Sequence, residues 1–318
     1  MDKKHVFLFI NNCSTGRRKL SEYKFNCEEE LNHFEKIWQM RPPVDKKISH
    51  SKDSWNKRAE NWAKELENTE HKKRSDERLK ATFDFINRYN VINKESKVID
   101  IGCGLGLYVN EFAKTAGYIT GIDLSPYMIE YAENFVSGKF PDKKIVWKAC
   151  DFKNIDIDET GWRKCFDLVF TSLTPAVDGL ESIKKICDMS KGYCFNSTFV
   201  SSDDNIDKYL YEKLTGKEFD EEFKKHHHWY YALYNLLFLK GYYPRSDYYE
   251  EKWTSYIEAD DKQTEFFADR MKMKYKIDNV NADRIKELLL KKSDSDGKIR
   301  YDHHTVYGFL LWNVNGRL

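Results

Sequence analysis

Between about residues 80 and 200, short apolar runs alternate with stretches whose apolar positions recur every three to four residues. The runs at Lys97 to Ile101, Tyr118 to Ile122, Ile145 to Lys148, Phe166 to Phe170 and Gly192 to Phe199 predict strands. Helical periodicity fills the gaps at Leu107 to Ala116, Pro126 to Val136 and Leu180 to Met189. A further amphipathic segment, "SDERLKATFDFINRYN", opens the series with Ser75 as its expected N-cap and Leu79, Phe83 and Ile86 on one face. Strands and helices in strict alternation predict a doubly wound α/β core: a mainly parallel sheet with helices on both faces.

The flanks depart from this rhythm. A helical stretch is expected from about Asn205 to Lys240, with Gly241 as its C′ glycine. A strand-like "SDYYEEKW" follows, then helices near Gln263 to Lys274 and Ala282 to Lys291, and the closing "HHTVYGFLLWNV" reads as a buried strand. Ahead of the core lie an apolar strand, a helix near Glu28 to Met40, the turn-like "RPPVDKK" and a helix from Asp53 to about Leu66. The expected organisation is therefore an N-terminal cap or lid over residues 1–79. A core over 80–318 carries helical insertions at about 202–240 and 254–300.

Composition narrows the function without naming it. A chain of 318 residues buries about 75% of its unfolded surface and needs no external staple. Lys and Arg number 53 against 52 Asp and Glu, a net charge of +1, so the electrostatic footprint of a general nucleic-acid binder is missing. The seven cysteines show no C-x-x-C spacing, which argues against a disulfide framework or a zinc site and fits a reducing cytoplasm. The apolar run Val6 to Ile10 is shorter than the core of a signal peptide, and no window approaches the ~20 apolar residues of a membrane span.

The chemistry concentrates in "VIDIGCGLGLY", Val98 to Tyr108. A strand that ends in Gly-x-Gly can turn sharply and bring bare backbone to a ligand, and the helix after it offers its N-terminal amides. A dinucleotide fingerprint would read G-x-G-x-x-G, but here the third glycine, Gly106, comes one residue early. Asp100 would repel a pyrophosphate, yet it suits a ligand that carries an amino group and a sulfonium.

Together with three later segments, this loop resembles the class I S-adenosylmethionine-dependent methyltransferases. "VIDIGCGLG" resembles their first motif, "GIDLSPYMIEYA" the second, "WKACDFKNI" the third and "FDLVFTSLTPA" the fourth, in order across about 120 residues. The resemblance implies a seven-stranded Rossmann-like sheet with its last strand antiparallel, and S-adenosyl-L-methionine as cofactor. It implies that Asp100, Gly102, Cys103 and Gly104 bind the cofactor, Asp100 helping to hold its amino and sulfonium groups, and that Asp123 accepts from both ribose hydroxyls. Leu124 and Met128 would flank the adenine, Asp151 would take its amino group, and the Phe152 amide a ring nitrogen. Thr171 would face the methionine half.

The acceptor must be read from weaker signals. Enzymes that methylate planar amino groups usually carry an Asn/Asp-Pro-Pro-Tyr-like motif after the fourth strand, where this chain has "TSLTPA"; a small molecule is the expected acceptor, with no nucleic acid and no membrane. In "DSWNKRAENWA", Trp55, Ala59, Trp62 and Leu66 share one helical face, and Trp55, Arg58 and Trp62 are lid candidates. In "FKKHHHWYYALYNLLFLKGYY", His227 is the candidate base, with Tyr230 and Tyr234 lining the acceptor pocket. The histidines, including His303 and His304, lack metal-site spacing, so no metal is expected. The alternatives are a non-catalytic S-adenosylmethionine-binding regulator and a methyltransferase acting on protein or RNA.

Overall fold

The computed structural model describes residues 26–39, 55–56, 59, 62, 68–220 and 227–316, the side chain of residue 227 excepted. Sixteen labelled elements follow the chain: α1 (Cys27–Gln39), α2 (Thr69–Asn87), β1 (Lys97–Ile101), α3 (Leu107–Phe112), β2 (Tyr118–Asp123), α4 (Pro126–Val136), β3 (Lys144–Ala149) and β4 (Phe166–Ser172). They continue with α5 (Leu180–Met189), β5 (Ser190–Asp204), α6 (Asn205–Thr215), α7 (His227–Leu239), β6 (Arg245–Ile257), α8 (Asp261–Tyr275), α9 (Ala282–Lys292) and β7 (Ile299–Asn313).

The strands form one sheet in the order β3-β2-β1-β4-β5-β7-β6, with β7 antiparallel to both its neighbours. Strand alternation divides the core. Ile99, Ile101 and Val169 point to the face covered by α5 and α7, against which α1 also packs through Phe34 and Trp38. Val98, Leu168 and Phe170 point to the face covered by α2 and α3. A third cluster joins α6, α8 and α9 to the start of β7 through Ile206, Phe267, Leu289 and Ile299.

Three local expectations are corrected. The first core helix begins at Thr69, where Asn68 accepts from the amides of Glu70 and His71, so Ser75 lies inside the helix. The stretch expected as one helix from Asn205 to Lys240 is two, because α6 stops at Gly216 in the left-handed region (φ +67°), whose amide donates to the Glu212 carbonyl. The last three strands overrun their apolar runs: β5 reaches Asp204, β6 covers Arg245–Ile257 and β7 starts at Ile299. Their outer halves pair far beyond the ends of β1 and β4, with Asp204 opposite His303 and His303 opposite Trp253. This ribbon projects past the sheet edge and makes one wall of the site. The expected helix from Asp53 to Leu66 lies mostly outside the described residues.

Candidate functional site

A cavity of about 610 Å³ opens at the carboxyl ends of β1, β2 and β4, where ligands bind in open α/β sheets. Its floor is the glycine loop. The Gly102 and Cys103 amides both donate to the Ile122 carbonyl, which pins the loop to the end of β2. Gly102 has φ +76°, and a Cβ there would stand 2.3 Å from Thr174 Oγ1, so the site admits only glycine without rearrangement. Gly106, the early third glycine, has φ +82° and lies against Ala132 of α4, where a Cβ would come within 2.8 Å. Its place in the sequence is thus fixed by helix packing.

Asp123 closes β2 and lines the cavity. Its two carboxylate oxygens accept from the Gly104 and Ser125 amides at 3.0 and 2.9 Å, which fixes the group but leaves lone pairs on both oxygens. Burial pushes this carboxyl above the usual carboxylate range, against the pull of the Ser125, Gly104 and Leu124 amides. Leu124, Met128, Asp151 and Phe152 join Asp123 along this wall. Asp151 accepts from the Lys153 amide and from the Asn154 side chain, a cap that orients the turn after β3.

Asp100 sits behind the loop rather than in the cavity wall. It is fully buried, its Oδ2 has no hydrogen-bond partner, and burial together with the Asp123 charge raises it well above the usual range. Thr171 also falls outside the wall, a correction to the expected contact: its hydroxyl donates to the Phe195 carbonyl and accepts from Asn196 inside the sheet. One residue along a strand reverses the face, so the cavity meets Ser172, whose hydroxyl donates to Tyr108.

Over the loop, Trp55 and Trp62 meet edge to face at 6.0 Å between ring centroids, and both line the cavity. Ser125 donates to Asn56 Oδ1 at 2.6 Å, and Ala59 is buried with Leu105 and Met128. Arg58 lies outside the described residues.

The pair Tyr230 and Tyr234 is not part of the cavity, against expectation. Both pack in the core on the α5 and α7 face, and the Tyr230 hydroxyl donates to the Phe309 carbonyl. The apolar character of α7 nearly all round packs it between α1 and the sheet. The His227 side chain lies outside the described residues.

The opposite wall consists of residues with no expected place in the site. From α2 come Arg74 and Arg78, one turn apart, and from the ribbon come Glu251, Trp253 and His303. Arg78 pairs with Glu251 at 3.1 Å and donates to the Tyr307 hydroxyl at 3.2 Å. The Arg74 guanidinium lies 4.6 Å from the centre of the Trp253 ring, and Trp253 stacks on His303 at 4.9 Å. Burial, with Arg270 and Lys274 nearby, pushes His303 down to about 4, so it is neutral at physiological pH. The available signal was the period of two in the predicted strand, which puts Tyr249, Glu251 and Trp253 on one face.

Among the described residues no group of His, Cys, Asp or Glu side chains could hold a metal ion, and no helix is long and apolar enough to cross a membrane.

This strand order, with a glycine loop after β1 and an acid closing β2, defines the class I methyltransferase fold. The model of a family described as "Methyltransferase domain" matches residues 92–260, more than half of the chain. The chain belongs to that family and is an S-adenosylmethionine-dependent methyltransferase. Similar solved structures include a putative methyltransferase from Bacillus halodurans, 14% identical with TM-score 0.44, covering 74% of this chain and 99% of that one. Magnesium protoporphyrin IX methyltransferase from Synechocystis with bound SAH is 13% identical with TM-score 0.43, covering 67% and 92%. A phosphoethanolamine N-methyltransferase from Haemonchus contortus is 14% identical with TM-score 0.39, covering 74% and 52%. No curated protein matches the chain in sequence.

Proposed function

We propose that the protein transfers a methyl group from S-adenosylmethionine to a small-molecule acceptor held in the same cavity. The observation that carries this reading is continuity: one cavity of about 610 Å³ runs from the glycine loop, Asp123 and Asp151 to the wall of Arg74, Trp253 and His303. Such a volume suits a cofactor with a small acceptor beside it.

The residues present fit the cofactor. The partnerless Asp100 oxygen lies behind a loop of bare backbone, a setting that favours a cationic amino-acid end. In this reading Gly102, Cys103 and Gly104 hold that end, Asp123 takes the ribose hydroxyls, Asp151 and Phe152 the adenine edge, and Leu124 and Met128 its faces. Bound there, S-adenosylmethionine supplies an electrophilic methyl group on a positively charged sulfur. The protein then has to align an acceptor lone pair with that methyl and exclude water. Within the cap expected over residues 1–79, Trp55 and Trp62 close over the loop, and α6, α8 and α9, from the additions near 202–240 and 254–300, support the ribbon. No general base is assigned from the described side chains. The compartment we propose is the cytoplasm, on cysteine usage.

Incubation with isotopically labelled S-adenosylmethionine and a metabolite extract from the native host tests the reading. Label should appear in a small product with wild type and fall sharply with Asp123→Ala. Two charge-assisted hydrogen bonds are at stake, so S-adenosylhomocysteine binding by that variant should weaken by roughly 30- to 1000-fold. Label confined to protein or RNA would overturn the acceptor class.

A further inference from the structure

The acceptor end of the cavity carries an unbalanced charge. Arg78 is neutralised by Glu251. Arg74, one turn earlier on α2, forms no ion pair among the described residues; it is held by the Trp253 ring instead. His303, which supports Trp253 from β7, carries no charge at neutral pH and so adds no second cation beside Arg74. The sum over this wall is one guanidinium in excess, facing the cavity.

A guanidinium seated on an aromatic ring is positioned without being neutralised. The ring holds the guanidinium in place by a weak attraction that leaves its N–H donors free, whereas a carboxylate would occupy them. The donors of Arg74 are thereby kept for something that is not part of the described protein. Oxyanions match that fork geometry. The same wall offers Phe199, 38% exposed, and Tyr108 as apolar surface for the rest of a ligand.

We propose that the methyl acceptor is a small anion whose carboxylate or phosphate is held by Arg74. This rests on the small-molecule reading above and narrows it to a substrate class. The anchor fixes one end of the acceptor on the ribbon wall, and its opposite end carries the reacting atom toward the glycine loop. Arg74 is thus a specificity residue, and nothing in the proposal requires it to touch the reacting atoms.

Binding is measured by calorimetry with S-adenosylhomocysteine at saturation, using benzoate, phenyl phosphate, benzyl alcohol and benzylamine as probes. One or both anions should bind more tightly than the alcohol and the amine, and the tighter of the two tells a carboxylate from a phosphate site. Arg74→Ala should weaken the preferred anion by roughly 10- to 100-fold, and Arg74→Lys by less, because a point charge is kept while the fork is lost. The proposal is overturned if neither anion binds better than benzyl alcohol, if benzylamine binds as well, or if Arg74→Ala binds the anion like wild type. Titration of wild type with S-adenosylhomocysteine alone comes first. Failure there would sink the methyltransferase-site reading itself, whereas success followed by anion failure sinks only the anion anchor.

Discussion

At the scale of single residues, burial sets the protonation of the two groups with the clearest consequences. Asp100 is held above the usual carboxylate range by desolvation first and by Asp123 second, and its Oδ2 has no partner to offset the cost. A cation placed beyond the loop favours the ionised form, so cofactor binding should release a proton. The enthalpy of S-adenosylmethionine binding should therefore vary with the ionisation enthalpy of the buffer, and that variation should vanish in Asp100→Asn. Equal buffer dependence in both proteins would sink the idea. His303 behaves in the opposite sense. Its pKa falls from an unfolded value of about 6.5 to about 4. The unfolded chain then takes up a proton that the folded protein refuses, so its contribution is complete above pH ~6.5 and is lost as pH falls toward ~4. After allowance for partial solvent access, about 1–2 kcal/mol is at stake. Urea unfolding of wild type and His303→Phe at pH 7 and pH 4.5 checks it: the variant should lose less on acidification. The same loss in both would show that His303 does not titrate in this way.

At the scale of elements, legibility followed the apolar signal. The helices Pro126–Val136 and Leu180–Met189 were bounded correctly, the first by Ser125, whose hydroxyl caps Met128, and Pro126 at the first turn. Helix α2 was read seven residues short because "NTEHKKRS" contains no apolar residue from which a period could be counted. Those first turns carry His71 and Arg74 to the cavity, which is why they are polar. The ribbon was shortened for the same reason, since its outer faces line a cavity and alternate polar with aromatic residues. The residues that line the cofactor end in the proposed reading, among them Gly102, Cys103, Gly104, Asp123 and Asp151, stand in ordered motifs and were legible, whereas Thr171 of the fourth motif lies outside the wall. Those that shape the acceptor wall come from three distant segments, α2, β6 and β7, whose juxtaposition only the sheet order reveals. A consequence attaches to the α2 cap: Asn68→Ala should cost about 1 kcal/mol in urea unfolding and speed hydrogen exchange at the Glu70 and His71 amides. Unchanged exchange would mean that the first turn is held by other contacts.

At the scale of the whole molecule, the described residues before α2 pack in two different places, and this decides how the proposed lid must be tested. Helix α1 buries Phe34 and Trp38 against α7, with Phe34 edge to face on Tyr231 at 5.4 Å. Deleting residues 1–66 would strip the apolar face of α7, so lost activity in such a truncation would report damage to the core. The tryptophans nearer the site make a cleaner probe. Trp62 is 41% exposed and stands 3.9 Å from the Cβ position of Gly104, so truncating it removes cover from the loop with little loss of core packing. If this segment closes the cavity, Trp62→Ala and Trp55→Ala should each weaken S-adenosylhomocysteine binding by roughly 5- to 20-fold, about 1–2 kcal/mol, mainly through faster release. Their unfolding midpoints should stay near wild type, because Ala59, which anchors the segment on Leu105 and Met128, is untouched. Binding kinetics with labelled S-adenosylhomocysteine measure the release rate directly. A release rate unchanged in both variants would reduce the tryptophan pair to surface packing and leave closure of the cavity to the α2 and ribbon walls alone.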